Sequence, residues 1–393
     1  MISREALGTR AAAAAVGLAA ALAMAATAAD RWLPARADYA WSFPRDHWAH
    51  PGYRTEWWYF TGFLESPGPP PRRFGYQFTF FRVGLAPDSA RGSAAWAARN
   101  LVMGHAAIGD FARREHRFSE VLYREVPMLG AFGTHPDPRI AASRSPAGTD
   151  GEWTLTWNGK GFDLAAADSA RRLALRLTTT PQRPLVFQGP GGLSAKGRAP
   201  GEASQYYSFT RLATEGTLAL DGRTWRVRGR SWMDREFGSN QLAPGQVGWD
   251  WFSLALDDGR DLMLYLLRRA DGSVDHRSAT LVGADGEPRY LASADWSVRA
   301  TATWKSPATG AVYPSRWLVE IPGARLRLEI APVMPDQENR SALTGGLFYW
   351  EGAVTARAVA PPAVTARAAG AGAELGRGYV ELTGYGKGNR PPL

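Results

Sequence analysis

The chain has 393 residues, 46 Lys and Arg against 37 Asp and Glu for a formal charge of +9, no Cys, and 16 Trp, 13 Tyr and 16 Phe. Without cysteine there are no disulfides and no thiolate metal site, so core burial alone must hold the protein together. The positive charge is scattered over alternate positions of strand-like segments with no basic run of five or more, which argues for a solvated surface and against nucleic acid as a partner.

Residues 1–28 read as a secretory signal peptide. Arg4 and Arg10 lead into an almost uninterrupted apolar stretch from Ala11 to Ala26, and Ala26-Thr27-Ala28 supplies the small residues of a cleavage site. The run falls short of the ~20 apolar residues of a membrane span, and no other stretch approaches that length. The protein is therefore expected to be periplasmic or secreted, with peripheral membrane contact at most. Roughly 365 residues remain, more than one hydrophobic core usually serves, which predicts two domains.

From Ala40 onward, short segments alternate with period two and are punctuated by Gly, Pro, Asp and Asn. Tyr76, Phe78 and Phe80 share one strand face, Leu173, Leu175 and Leu177 another, and Leu326, Leu328 and Ile330 a third. No amphipathic helix longer than two turns is expected, although Ser89 to Ala98 has the pattern for one turn or two. About sixteen to eighteen strands fit the chain, which implies sandwiches or closed barrels.

An internal repeat runs through these strands. Thr55-Glu56-Trp57-Trp58-Tyr59-Phe60, followed by Phe74 to Arg82, is answered by Gly248-Trp249-Asp250-Trp251-Phe252-Ser253-Leu254, the turn Asp257-Asp258-Gly259, and Leu262 to Arg268. Gly229-Arg230-Ser231-Trp232-Met233-Asp234 is matched by Gly376-Arg377-Gly378-Tyr379-Val380-Glu381, and between these anchors Tyr206 to Thr217 corresponds to Phe348 to Thr355. The boundary is placed at Leu242 to Gln246, giving domains at 38–241 and 246–389. The expected fold is all-β: two tandem antiparallel barrels related by internal duplication. Barrels of about eight strands have an interior that side chains fill or that holds one small ligand.

The chemistry-bearing string is Ser231-Trp232-Met233-Asp234-Arg235-Glu236-Phe237-Gly238. On an extended strand Asp234 and Glu236 share one face, and burial together with a like charge would raise the pKa of one of them, making it a proton donor to an alkene or ester. The competing reading is that Arg235 or Arg230 pairs with these acids at a barrel mouth. His47 and His50 lie in a loop before the first strand and His105 in a strand-like run, and no spacing signature makes the three a metal site. No Gly-x-Ser-x-Gly elbow and no dinucleotide fingerprint occurs, Gly189 to Gly197 reads as a flexible loop, and no cofactor is expected. Trp57, Trp58, Tyr59, Tyr206, Tyr207, Trp232, Trp249 and Trp251 alternate between barrel interior and exterior, and inward ones would line an apolar pocket or simply fill the core. Trp57, Tyr59, Tyr207, Trp232, Trp249 and Trp251, with His105, are the candidate ligand contacts.

Four strings together resemble the AttH-like proteins and carotenoid 1,2-hydratases: Glu56-Trp57-Trp58-Tyr59-Phe60-Thr61-Gly62, Tyr206-Tyr207-Ser208-Phe209-Thr210-Arg211, Trp232-Met233-Asp234-Arg235-Glu236-Phe237-Gly238 and Gly378-Tyr379-Val380-Glu381-Leu382-Thr383-Gly384-Tyr385. The resemblance spans nearly the whole chain after the leader and implies two lipocalin-like domains with a ligand site in or between them. In the hydratase branch an aspartate two residues after an aromatic is thought to protonate a terminal double bond of an acyclic carotenoid before water adds. Trp232-Met233-Asp234 matches that arrangement, and the resemblance to the AttH-like branch is closer. Two functions follow as expectations: a binder of a hydrophobic, isoprenoid or lipid-like molecule with acid catalysis through Asp234, or a noncatalytic carrier or chaperone beside an ABC-type exporter. Catalysis requires Asp234 buried within reach of a ligand; a carrier can leave it exposed and paired with Arg230, Arg235 or Arg268. A structural envelope protein is a third reading, if both interiors are packed solid.

Overall fold

The computed structural model describes residues 32–87, 99–359, 372–386 and 389–391. The expected signal peptide and the segment from Ser89 to Ala98 lie outside the described residues. Among the described residues the regular structure is β, and the only helical elements are short 3-10 turns at Arg45–His47, Pro190–Gly192 and Pro322–Ala324.

The period-two segments become antiparallel strands. The first half contains β1 (Thr55–Ser66), β2 (Arg72–Gly84), β3 (Asn100–Asp110), β4 (Glu115–Arg124), β5 (Gly130–Phe132), β6 (Arg139–Arg144), β7 (Glu152–Trp157), β8 (Phe162–Asp168), β9 (Leu173–Pro181), β10 (Val186–Phe187), β11 (Leu193–Ala195), β12 (Ala203–Leu220) and β13 (Arg223–Gly238). The second half contains β14 (Gln246–Leu256), β15 (Asp261–Arg269), β16 (Val274–Val282), β17 (Pro288–Leu291), β18 (Ser297–Lys305), β19 (Val312–Ile321), β20 (Leu326–Pro332), β21 (Glu338–Arg340), β22 (Phe348–Ala358) and β23 (Glu374–Leu382). The count exceeds the expected sixteen to eighteen because short strands such as β5, β10, β11 and β21 are too brief for an alternation to register. Tight hairpins are set by residues that accept positive φ: Asp221 at 53° and Gly222 at 78° join β12 to β13, and Gly259 at 91° turns β14 into β15.

Each half forms one curled sheet. The first runs β4-β3-β2-β1-β13-β12-β9-β8-β7-β6-β5, the second β17-β16-β15-β14-β23-β22-β20-β19-β18. Laid side by side, the first nine strands of each order correspond one to one, with β1 matching β14, β13 matching β23, and β12 matching β22. The duplication visible as short strings in the sequence is therefore a duplication of pairing.

The concave face of each sheet closes on its own core. Trp58, Phe60, Phe78, Phe80, Leu175, Leu177 and Met233 belong to the first, and Phe252, Leu254, Trp317, Leu328, Ile330 and Val380 to the second. A third cluster, which includes Tyr59, Tyr206, Trp232, Trp251, Met263, Tyr265 and Tyr379, lies where the convex faces of the two sheets press together. Strands β1, β13, β14 and β23 are thus buried on both faces, as the burial of every residue from Ser231 to Gly238 records.

The contact is also held by charge. A register shift in β12 between Phe209 and Leu212 turns Arg211 toward the second sheet. There its Nε donates to Asp261 at 2.8 Å and its Nη2 to the Leu256 and Arg260 carbonyls, while Arg183 donates to the other Asp261 oxygen at 2.9 Å.

Candidate functional site

The site is built on the convex face of β13, a central strand between β1 and β12. Alternation sends Met233 into the first core, Arg235 and Phe237 to that same face against Trp58 and His50, and Trp232, Asp234 and Glu236 toward the second domain. In register, Asp234 stands between Tyr59 of β1 and Ser208 of β12, and its counterpart in the repeat, Glu381 of β23, stands between Trp251 of β14 and Glu351 of β22. A cavity of about 120 Å³ opens between the sheets here, lined by Trp57, Tyr59, Tyr206, Trp249, Trp251 and Tyr349, with Asp234, Glu236, Glu381 and Lys196 among its polar walls.

Asp234 is 3% exposed and has no cation partner. Tyr206 donates to its Oδ2 at 2.6 Å, Trp232 Nε1 to its Oδ1 at 2.6 Å, and Ser208 also donates to Oδ1. Trp251 Nε1 in turn donates to the Tyr206 hydroxyl at 3.1 Å, so the second domain helps to orient the group that holds Asp234. Burial disfavours the charged carboxylate and, against the hydrogen bonds of Ser208, Tyr206 and Trp232, lifts the Asp234 pKa from 3.8 to about 7. At neutral pH a protonated carboxyl is therefore well populated.

Glu381 behaves alike. Burial, with the nearby charges of Asp234 and Glu236, outweighs a 2.9 Å hydrogen bond from Trp249 Nε1 and raises it to about 7. Glu351, also buried, accepts from the Tyr59 hydroxyl at 2.6 Å, leaves its Oε2 without a partner, and is held well above the usual carboxylate range by burial and by Glu381. Glu236 differs: Lys196 sits 2.8 Å away, over the Tyr265 ring. Burial works against that ammonium, but Glu236 outweighs it and the amine titrates above the ordinary lysine value. Asp234, Glu351 and Glu381 thus lie together at the domain junction with no counter-cation, whereas Glu236 has Lys196.

The arginine pairing left open by the sequence does not form. Arg235 points to the opposite face, where it binds Glu56 and lies 4.0 Å over the Trp58 ring; Arg268 pairs with Asp250 at 2.7 Å; Arg230 is exposed. Trp57, Tyr59, Trp249, Trp251 and His105 line the cavity, and Trp232 sits beside it through its bond to Asp234. Tyr207 does not join them. It faces the first core, bonded to His47 at 2.6 Å, because the neighbouring Tyr206 takes the convex face. His105 lies within 2.6 Å of the Tyr349 hydroxyl, and burial lowers its pKa to about 3, so the ring is neutral. His47 and His50 sit away from it, against the first core, and among the described residues no group of three or more His, Asp or Glu is placed to hold a metal.

Sequence reasoning passed over Glu381, Glu351 and Lys196 as site residues, and named Tyr206 among the pocket aromatics without choosing it as a ligand contact. Glu381 carried a usable signal, since the repeat already aligns it with Asp234. Lys196 did not: it belongs to the glycine-rich segment read as a flexible loop, which instead forms a 3-10 turn and β11 and buries the lysine. The expected pocket inside a barrel is also displaced. The cavity lies between the domains, and aromatic side chains occupy the barrel cores.

Residues 34–385 match the model of the AttH-like family. Among solved structures the chain is similar to an AttH protein from Nitrosomonas europaea, with 32% identity and a TM-score of 0.75 over 90% of this chain and 99% of that one. Kievitone hydratase from Nectria haematococca shares the fold at 14% identity and a TM-score of 0.62, over 90% of this chain and 96% of that one. CghA, solved with Sch210972, shares it at 12% identity and a TM-score of 0.50, over 86% and 90%. No curated protein matches the chain.

Proposed function

The chain belongs to the AttH-like family, and on that premise we propose that it binds an apolar, unsaturated small molecule at the junction of its two domains and adds water across a carbon–carbon double bond, with Asp234 as the acid. The observation that carries this reading is the state of Asp234: buried, without a cation, and titrating near neutrality on the wall of an aromatic cavity. A carrier has no need of such a group, and of the arginines that would mark an exposed ion pair, Arg235 and Arg268 are engaged by other acids and Arg230 forms no pair with Asp234.

The chemistry balances with two carboxyls. The Asp234 proton goes to the less substituted carbon of the alkene, leaving a cation on the more substituted one and a carboxylate on the protein. Water bonds to the cation and loses its extra proton to the Glu381 carboxylate, and that proton returns to Asp234 through solvent. Alkene and water become a tertiary alcohol, and neither carboxyl changes overall. Trp57, Trp249 and Trp251 line the cavity, and indole rings stabilise a cation that forms over their faces. A void of about 120 Å³ is close to the ~150 Å³ that accommodates benzene, room for one isoprene-sized terminus with the rest of the molecule trailing through the opening. Kievitone hydratase, which shares the fold, is by its name also a hydratase, and export by the residue 1–28 leader would place the reaction outside the cytoplasm.

The test is incubation with an acyclic carotenoid in detergent micelles in heavy-oxygen water, with mass spectrometry of the products. Incorporation of one labelled oxygen by the wild-type protein, lost in Asp234→Asn while the compound still co-purifies with the variant, supports the reading. Equal incorporation by the variant removes Asp234 from the chemistry, and binding without any incorporation returns the protein to the carriers.

A further inference from the structure

Toward the Arg230 end of the same convex face the sheets separate into a second, larger cleft of about 750 Å³. It is open because the facing side chains are small: Ala213 on the first sheet, Ser253 and Ala255 on the second. Its inner end carries the rings of Phe63, Trp232 and Tyr379, with Phe63 and Tyr379 6.1 Å apart. Its volume lies within the ~300–1,000 Å³ of ordinary small-molecule pockets, and the Trp232 indole, bonded through Nε1 to Asp234, stands between it and the acidic cavity.

The charges along this cleft are unequally satisfied. Arg73 pairs with Glu65 at 3.1 Å, Arg377 with Glu374 at 2.6 Å, and Arg211 with Asp261 at 2.8 Å. Among the described residues, Arg228 and Arg230 form no ion pair, although both are exposed on β13. Arg228 stands in register between Glu65 and Glu215, so an acid is at hand on either side. Arg230 stands between Phe63 and Ala213 and has only apolar neighbours across the strands. A guanidinium without an acid thus borders a deep, ring-lined cleft.

We propose that this cleft is a binding site for a singly charged amphipathic molecule, a long-chain carboxylate in kind, whose apolar body lies on Phe63, Trp232 and Tyr379 and whose anionic end meets Arg230. Guanidinium geometry matches a carboxylate through two parallel N–H donors. The acids that also border the cleft, Glu65, Glu215 and Asp257, weaken the positive field and favour a monoanion over a phosphate dianion. This site is separate from the acid at Asp234 and stands whether or not that acid is catalytic.

The test is fluorescence titration with dansylaminoundecanoic acid and its methyl ester, using the full chain and the variants Arg230→Glu, Ala213→Trp and Asp234→Asn. The wild-type protein should bind the acid more tightly than the ester, and less tightly as salt rises. Arg230→Glu should raise the Kd of the acid by about tenfold or more while leaving the ester within about twofold. Ala213→Trp, which fills the cleft, should weaken both, and Asp234→Asn neither, so that failure of the acid mechanism and failure of this site are told apart. Arg230 is exposed, and its replacement leaves both cores untouched. No binding of the acid by the wild-type chain, an unchanged Kd in Arg230→Glu, equal losses of acid and ester in that variant, or full binding in a folded Ala213→Trp protein would each overturn the proposal.

Discussion

Replacing Asp234 by Asn tests the raised acidity directly, without any knowledge of the ligand. In the folded protein this carboxyl titrates at about 7, against 3.8 for an ordinary aspartate. Between those values the native state keeps a proton that the unfolded chain has lost, so stability must fall as pH rises through the interval and level off above about 7. The displacement corresponds to at most about 4 kcal/mol. Asparagine is permanently neutral and removes this dependence, while obliging Tyr206 to give up a carboxylate acceptor at a cost of about 1 kcal/mol. The variant should accordingly be equal to or slightly weaker than wild type near pH 4 and more stable by a few kcal/mol near pH 8. Urea unfolding at both pH values, followed by far-UV circular dichroism, measures the difference. Glu381, raised in the same way, gives both proteins a similar slope, so the quantity to compare is the change in their gap. A gap that stays constant across the range would refute the argument that burial holds Asp234 protonated.

Four further outcomes are expected. Glu381→Gln should slow the proposed hydration by about 10²- to 10⁴-fold, the usual worth of one acid–base group, with affinity for the carotenoid retained; an unaltered rate would exclude it as the base. Glu56→Gln strands Arg82 and Arg235 in the first core, because both guanidiniums bind that carboxylate, and should cost about 3–5 kcal/mol in denaturant unfolding. Burial opposes the Glu56 charge, but Arg82 and Arg235 hold its pKa well below the ordinary value, so this contribution is present above the unfolded-state pKa and is lost only as acid titrates the folded carboxyl. Asp261→Ala leaves Arg211 and Arg183 without their carboxylate, held to the second domain only through backbone carbonyls, and should destabilise by a similar ~3–5 kcal/mol, with faster amide exchange at the β14–β15 turn as the local sign. The His105 ring, its pKa lowered by burial to about 3, should show NMR shifts that stay constant from about pH 5 to about pH 8, where an ordinary histidine titrates.

Much of the architecture could be read along the chain. Alternation at Tyr76, Phe78 and Phe80, or at Leu326, Leu328 and Ile330, requires only that a strand bury one face, and all six residues are in barrel cores. The glycine-arginine-small-aromatic-apolar-acid strings that end the two halves proved to be the equivalent strands β13 and β23. The site was legible only in outline. Period two places Asp234 and Glu236 on a common face, yet it cannot say that Lys196, forty residues away along the chain, takes Glu236 as its partner and leaves Asp234 with none. Tyr206 and Tyr207 are indistinguishable in a string of two, and only the sheet decided which of them faces the other domain.

The sequence by itself determined that this is a β-protein of two related halves, because strand periodicity and turn chemistry act over a few residues and repeat visibly. It also determined which side chains travel together on each strand face. Only the tertiary structure decided which face is the inside, since β1, β13, β14 and β23 are buried on both sides and a period of two is silent on the choice. Pressing the two convex faces together removes Asp234, Glu351 and Glu381 from water without supplying a cation. Their acidity is set by that desolvation, a property of the assembled interface that no local pattern of residues carries.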